Sequence, residues 1–168
     1  MSAGRPAGAS AITVFDSPLG PLMLGVRDGA VVRLSWVEPG TIPPPSGAPG
    51  RVEAAVIARV RAQLDEYFAG ERHVFDLPLA PAGGSLQQAV CAAMRAIPYG
   101  QTRTYGDLAA ILGAPPQAIG QACGANPIPI LIPCHRVVAA HGRLGGFSGG
   151  RGAETKLALL RLEGAILL

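Results

Sequence analysis

Cysteine and histidine stand side by side once in this chain, at Cys134-His135. A thiol attacks as the thiolate, and a free pKa of about 8.5 leaves a few per cent ionised near neutrality, so a base must lie close. Neighbouring residues in an extended chain point to opposite sides, so His135 needs a local turn or an intervening water to reach the sulfur. A third group should orient the imidazole, and Glu163, at the end of the last predicted helix, is a candidate. The remaining thiols, Cys91 and Cys123, and the remaining histidines, His73 and His141, are scattered. They make neither a disulfide framework nor a tetrahedral zinc set, so no metal is expected. Cys91 lies beside an apolar helical stripe and reads as a buried structural thiol.

The path into Cys134 is PIPILIPCHRV, Pro127–Val137. Its three prolines forbid a helix interior or central strand and impose a stiff extended course, while Ile128, Ile130, Leu131 and Ile132 indicate burial. Upstream, Thr104 can cap a helix over Tyr105–Leu112, with Asp107 in its first turn and Gly113 after its end. Pro115-Pro116 breaks the chain, and Gln117–Gly124 predicts a second short helix, giving a helix-turn-helix outline. That second helix carries the small residues Ala118, Gly120, Ala122 and Gly124, which let its backbone approach a groove or another helix. Ser85 with Gln88 predicts a capping box for a helix Leu86–Ile97, with Leu86, Val90, Met94 and Ile97 buried and Pro98 as the stop.

The first half reads differently. Ala11–Phe15, Leu22–Val26 and Ala30–Val37 predict short strands joined by Ser17–Pro21 and by the hairpin signal Asp28-Gly29, with Val32, Leu34 and Trp36 on one face. Val37–Gly50 holds five Pro and three Gly and is expected to be an exposed, mobile loop. Arg51–Phe68 is the clearest helix, with Val52, Val56, Val60, Leu64 and Tyr67 as its apolar stripe. His73–Leu79 looks strand-like, and Pro81–Gly84 is a candidate hinge. The expected organisation is α/β (α+β). Residues 1–84 form a small antiparallel sheet with a helix, and residues 85–168 a mainly helical domain with the helix-turn-helix and the cysteine.

The composition, 49% hydrophobic and 15% charged, excludes a disordered or coiled-coil chain. No apolar run approaches the roughly 18 residues of a membrane span, and the first ten residues lack a signal-peptide core, so a cytoplasmic location is expected. The net charge of +3 is uneven: residues 1–85 hold seven Arg against eight acids, and residues 86–168 six Arg and one Lys against three. A basic second half is compatible with an anionic partner such as nucleic acid and equally with a mixed soluble surface.

IPCHRV, preceded by Asn126-Pro127 and followed by Gly145–Gly150 (GGFSGG), resembles the O6-alkylguanine-DNA alkyltransferases, the methylated-DNA–protein-cysteine methyltransferases. The resemblance extends to IPYGQTRTYGDLA at Ile97–Ala109 and TKLALLRLEG at Thr155–Gly164. SPLGPLMLGV and FDLPL look like the family's less specific N-terminal domain. It implies an irreversible, cofactor-free transfer of an alkyl group from O6-alkylguanine, with O4-alkylthymine as a further possible substrate, in double-stranded DNA. Cys134 would be the acceptor, His135 would take its proton through a water, Glu163 would hold the histidine and Asn126 would brace the turn. Tyr105 would contact the phosphate and protonate the leaving base. Ser148 would bind the base edge, with Phe147, Gly149, Ile132 and Pro133 completing the pocket. The DNA-facing set would be Arg103, Thr104, Gln117, Ala118, Gln121, Ala122, Gly124 and Arg136.

A helix-turn-helix by itself predicts the major groove. The family instead implies the minor groove, where small side chains permit approach, and a base flipped out of the stack. One-to-one transfer implies a monomer. Gln117 stands where the family usually has an arginine, in a turn about two residues short, and Phe147 where many members have tyrosine. Leu86 and Cys91 replace the family's usual aromatics in the preceding helix, and the N-terminal half lacks the cysteines of a zinc site. Two alternatives stay open on the residues: a Cys-His-Glu hydrolase or acyltransferase, and a non-catalytic lesion-binding module.

Overall fold

The structure is a computed structural model that describes residues 9–38, 40–41 and 47–166. The chain divides into two compact units, Met1–Pro81 and Ala82–Leu168. Among the described residues no helix is long and apolar enough to cross a membrane.

The first unit is an antiparallel meander of β1 (Ala11–Phe15), β2 (Leu22–Arg27) and β3 (Ala30–Trp36), with α1 (Arg51–Phe68) packed on it. Asp28 and Gly29 turn β2 into β3 with φ of 49° and 76°, as a type I′ hairpin demands. The β3 face differs from the predicted alternation. Val31 pairs with Val26 and Arg33 with Gly25, so Val32 is an extra residue in the ladder. This bulge shifts the inward phase, and Val31 and Leu34 are buried while Val32 and Trp36 are only partly covered. Val56, Val60, Leu64 and Tyr67 of α1 are buried, but Val52 in its first turn is 59% exposed. His73–Leu79 is no strand. Leu79 alone makes a bridge to Val31, and Gln63 pins the segment by bonding both main-chain groups of Asp76 at 2.9 and 3.0 Å. Of the Pro- and Gly-rich stretch, positions 39 and 42–46 lie outside the described residues; positions 37–38, 40–41 and 47–50 form neither helix nor strand.

The second unit runs α2 (Ser85–Arg95), β4 (Arg103–Thr104), α3 (Tyr105–Leu112), α4 (Pro116–Gly124), a 3₁₀ turn at Cys134–Arg136, β5 (Val137–Val138) and α5 (Ala153–Leu162). Helix α2 starts one residue early, with Gly84 as its N-cap, so Ser85 lies inside the helix and the predicted capping box does not form. Leu86 is accordingly 38% exposed, while Val90, Cys91, Met94 and Ile97 are buried. At α3 Thr104 is the N-cap, as the sequence predicts, and Asp107 makes the cap reciprocal. Thr104 Oγ1 accepts from the Asp107 N–H at 3.0 Å, and the Thr104 N–H donates to the Asp107 carboxylate at 2.8 Å. Such a reciprocal cap is worth about 1 kcal/mol. Strands β4 and β5 pair in parallel, Arg103 with Val137 and Thr104 with Val138. This pairing sets the start of α3, and with it Tyr105, beside the chain that has just left Cys134.

Candidate active site

The PIPILIP segment is a tight loop, not a straight extended path. Asn126 closes it from both sides: its Oδ1 accepts from the Ile128 N–H at 3.0 Å, and its Nδ2 donates to the Ile132 carbonyl at 2.8 Å. Ile132 N–H returns to the Ile128 carbonyl at 2.9 Å, which forces Ile130 to a φ of 72°. A β-branched residue avoids that region, at a cost of roughly 1–2 kcal/mol, so the loop is over-determined by its bonds and buried isoleucines. Pro133 follows at φ −81°, ψ 70°, an inverse γ-turn in which the Cys134 N–H bonds the Ile132 carbonyl at 2.8 Å. The 3₁₀ turn of Cys134–Arg136 then begins, closed by the Arg136 N–H on the Pro133 carbonyl at 3.0 Å.

That turn sends two adjacent side chains to one carboxylate. His135 Nε2 lies 2.7 Å from Glu163 Oε2, with both side chains fully buried. Arg136 donates from Nε to Glu163 Oε1 at 2.8 Å and from Nη2 to Oε2 at 3.0 Å. A DNA-facing role for Arg136 is therefore corrected: its guanidinium is spent inside the unit. With Nε2 facing a carboxylate, the neutral imidazole carries its proton there and leaves Nδ1 as the basic lone pair. Nδ1 is buried and has no hydrogen-bond partner, so His135 does not bond the neighbouring sulfur directly.

Burial dominates the electrostatics. It pushes the Cys134 thiol up, against a hydrogen bond from Asn126 and the charge of Lys156, which pull it down. It also pulls His135 below the ordinary imidazole value, opposed by the bond and charge of Glu163 and aided by Arg136 and Lys156. The resting state is a neutral thiol beside a neutral imidazole. Tyr105 is raised by burial and by the nearby Cys123 and Cys134, and lowered by a backbone bond from Gly146. It stays a phenol and thus a proton donor.

Sequence reasoning missed Lys156. This lysine, the only one in the chain, is fully buried on the inner face of α5. Its Nζ donates to the Val137 carbonyl at 2.6 Å and the Gly146 carbonyl at 3.2 Å, tying the strand after the nucleophile to the glycine loop. The ammonium lies 5.8 Å from the Tyr105 ring centroid, and burial lowers its pKa to about 8. The available signal was a single Lys in an otherwise all-Arg cationic set, at a helix position in phase with Leu159 and Leu160.

The glycine loop runs against Tyr105: a Cβ on Gly145, whose φ is 78°, would come within 2.9 Å of the tyrosine hydroxyl. Phe147 and Gly149 are half-buried, whereas Ser148 is exposed and donates to the Gly124 carbonyl at 3.4 Å. Ile132 and Pro133, next to Cys134 in the chain, are buried. On α4 the outward positions are Gln117, Gln121 and Gly124, with Ala118 half-covered. Ala122 does not belong to that face. It is buried, and its carbonyl accepts from Gln87 of α2 at 2.9 Å. Thr104 has its hydroxyl engaged in the α3 cap, and Arg103 is half-exposed with bonds to the Thr102 carbonyl and Gln101. Among the described residues no group of three or more His, Cys, Asp or Glu side chains is placed to hold a metal ion.

A buried cysteine beside a histidine–carboxylate pair, in a unit with a helix-turn-helix whose second helix carries small residues at Ala118, Gly120, Ala122 and Gly124, fits a DNA-directed alkyl transferase with a cysteine acceptor. Residues 11–81 match the 6-O-methylguanine DNA methyltransferase ribonuclease-like domain and residues 85–165 its DNA binding domain, and the chain belongs to this family of DNA-repair alkyl transferases. It is 43% identical over 155 residues to the methylated-DNA–protein-cysteine methyltransferase of Mycobacterium leprae, covering 89% of each chain. It is 46% identical over 158 residues to a DNA base-flipping protein of Thermus thermophilus, covering 90% of this chain and 99% of that one. The Mycobacterium tuberculosis OGT crystallised in complex with DNA superposes with a TM-score of 0.78 at 41% identity, over 90% of this chain and 92% of that one.

Proposed function

We propose that Cys134 removes the alkyl group from O6-alkylguanine in double-stranded DNA and keeps it, once per molecule, acting as a monomer. The observation that carries this is His135: a fully buried imidazole, held on Nε2 by Glu163 and unpartnered on Nδ1, in the same turn as a buried thiol.

In this reading a water bridges the Cys134 thiol and His135 Nδ1, and the proton passes through it to the imidazole. Glu163 stabilises the imidazolium formed. The thiolate attacks the alkyl carbon, the S–C bond forms as the C–O6 bond breaks, and the electron pair leaves on the guanine. The Tyr105 phenol donates its proton to the leaving base, which departs as neutral guanine. Cys134 is only 8% exposed, so the base must leave the stack to reach it. The outward face of α4, with Gln117, Gln121 and Gly124, is the surface placed against the minor groove. Ser148 lies at the C-terminal end of that helix, where a flipped base would meet it.

The test is to incubate the protein with a duplex oligonucleotide carrying O6-methylguanine and weigh the intact chain. One methyl, mapped to Cys134, is the expected result. Continued product formation beyond one equivalent would mean a hydrolase or acyltransferase. Binding without any mass change would mean a lesion-recognition module.

A further inference from the structure

Arg136 follows His135 in sequence, and both side chains end on Glu163. The guanidinium spans both carboxylate oxygens at 2.8 and 3.0 Å, sharing Oε2 with the imidazole. Its remaining Nη1 donates to the Ile97 carbonyl at 2.7 Å. It lies 5.8 Å from the centroid of the Tyr99 ring, whose hydroxyl donates to the Leu162 carbonyl at 3.2 Å. Side-chain exposures are 0% for His135, 7% for Arg136 and 0% for Glu163. A bare bridge from carboxylate to imidazole would need none of this apparatus.

We propose that Arg136 is a positioning residue whose charge keeps the His135–Glu163 pair free of an extra proton, so that His135 meets Cys134 as a neutral base. The inference rests on the assignment of Cys134 as the alkyl acceptor.

The reasoning is charge balance in a dry site. With Arg136 present, the guanidinium cancels the carboxylate, and a neutral imidazole leaves the cluster uncharged. Arginine does not give up its proton in proteins, so this balance holds at every working pH. Remove that charge and the pair alone carries a buried negative charge, which is strongly unfavourable. It regains neutrality by binding one proton, on the imidazole or on the carboxyl. The two groups then titrate as a unit. Wherever that proton rests, the pair has already filled the place that the Cys134 proton must take. The other ionisable groups facing His135 do not replace Arg136. Lys156, from α5, is held by the Val137 and Gly146 carbonyls and makes no bond to Glu163. The Cys134 thiol, in the same turn, is neutral at rest. Tyr99, in the stretch before β4, is raised by burial and by Glu163 and stays neutral. The fork of Arg136 also fixes the carboxylate plane, and with it the imidazole orientation.

The experiment compares wild type, Arg136→Met and Arg136→Lys in single-turnover methyl transfer from duplex O6-methylguanine, over roughly pH 5.5 to 9.5. The protonation of His135 is read in parallel by ¹⁵N NMR of histidine-labelled protein. In wild type the neutral Nε2–H tautomer should persist below the ordinary imidazole value. For Arg136→Met the acid limb of the rate profile should move up by about one unit or more. Its transfer rate near neutrality should then fall about tenfold or more and recover in base. Arg136→Lys, which keeps the charge but loses the fork, should hold its limb near that of wild type.

A uniform rate loss in Arg136→Met with an unmoved limb would make Arg136 a structural residue and overturn the proposal. So would a limb in Arg136→Lys displaced as far as in Arg136→Met, or a wild-type His135 that is protonated at neutral pH. Should Arg136→Met fail to fold, the lysine variant and the wild-type titration decide the matter. Absence of methyl transfer in wild type would instead remove the acceptor assignment, and the NMR titration would still report whether Arg136 controls the pair.

Discussion

Among the described residues the N-terminal unit buries one polar side chain, Gln63, and the C-terminal unit buries five: His135, Arg136, Thr155, Lys156 and Glu163. Both units are small, and both have an apolar core of Leu, Ile and Val. The difference lies in what that core encloses. Gln63 serves the backbone, bonding both main-chain groups of Asp76. The ionisable cluster of the second unit is gathered beside the Cys134 turn, and burying it is tolerable only because each charge meets an opposite charge or a carbonyl. Replacing a buried ionic set with apolar groups is often neutral or stabilising, so its presence speaks for chemistry more than for stability.

This contrast can be broken at several points. Cys134→Ser should abolish methyl transfer, measured by intact mass, while duplex affinity stays nearly unchanged because phosphate contacts dominate it. Next in size is Glu163→Ala, which strips His135 of its anchor and leaves the Arg136 charge uncompensated. It should slow transfer by about a hundredfold or more. By denaturant melting it should also destabilise the fold by about 3–5 kcal/mol. The counterpart in the other unit is Leu64→Ala, in the core under α1. It should cost about 2–5 kcal/mol in the same melt yet leave the single-turnover rate intact where the protein remains folded.

A smaller effect is expected on the outward face of α4. Gln117→Arg adds a cation and a planar group for the vacated stack, so duplex repair should speed up, and the salt slope of binding should steepen by about 1. Transfer from the free base should hardly change, since nothing needs flipping there. Unchanged or slower duplex repair would place another residue in the gap, Arg103 being the first to test.

The smallest effect concerns pH. Lys156 has a pKa of about 8 in the fold against an ordinary 10.5, so between those values the unfolded chain binds more protons. Stability contributed at this position is therefore lowest below about pH 8 and rises through the window up to about 10.5. The melting temperature of wild type should gain on that of Lys156→Met over that window, and parallel curves would contradict the assignment.

Much of the fold was legible because its determinants are local. Asp28-Gly29 at positive φ, the Thr104–Asp107 cap and the 3.6-residue stripe of α1 are each decided by residues within one turn of each other. The Cys134-His135 pair and Glu163 stood out for the same reason, as residue types whose chemistry is plain in one dimension. Local signals also misled. Ser85 and Gln88 fit a capping box, but an extended Gly84 takes the cap position, and the bulge at Val32 reverses the face that strict alternation assigns.

Sequence alone determined which groups were available: one thiol next to one imidazole, a proline-stiffened approach, a second helix rich in small residues and a surplus of cations in the second half. Only the tertiary structure decided where those cations go. Arg136, which the resemblance set against DNA, and Lys156, counted only within the basic second half, are both turned inward, one onto Glu163 and the other onto two carbonyls. Ala122 reads as a groove-facing small residue and packs against α2 instead. The physical reason is that a long cationic side chain takes its place from whichever counter-charge or acceptor lies within reach after folding. Those partners, Glu163 for Arg136 and Val137 and Gly146 for Lys156, lie 10 to 27 residues away in the chain.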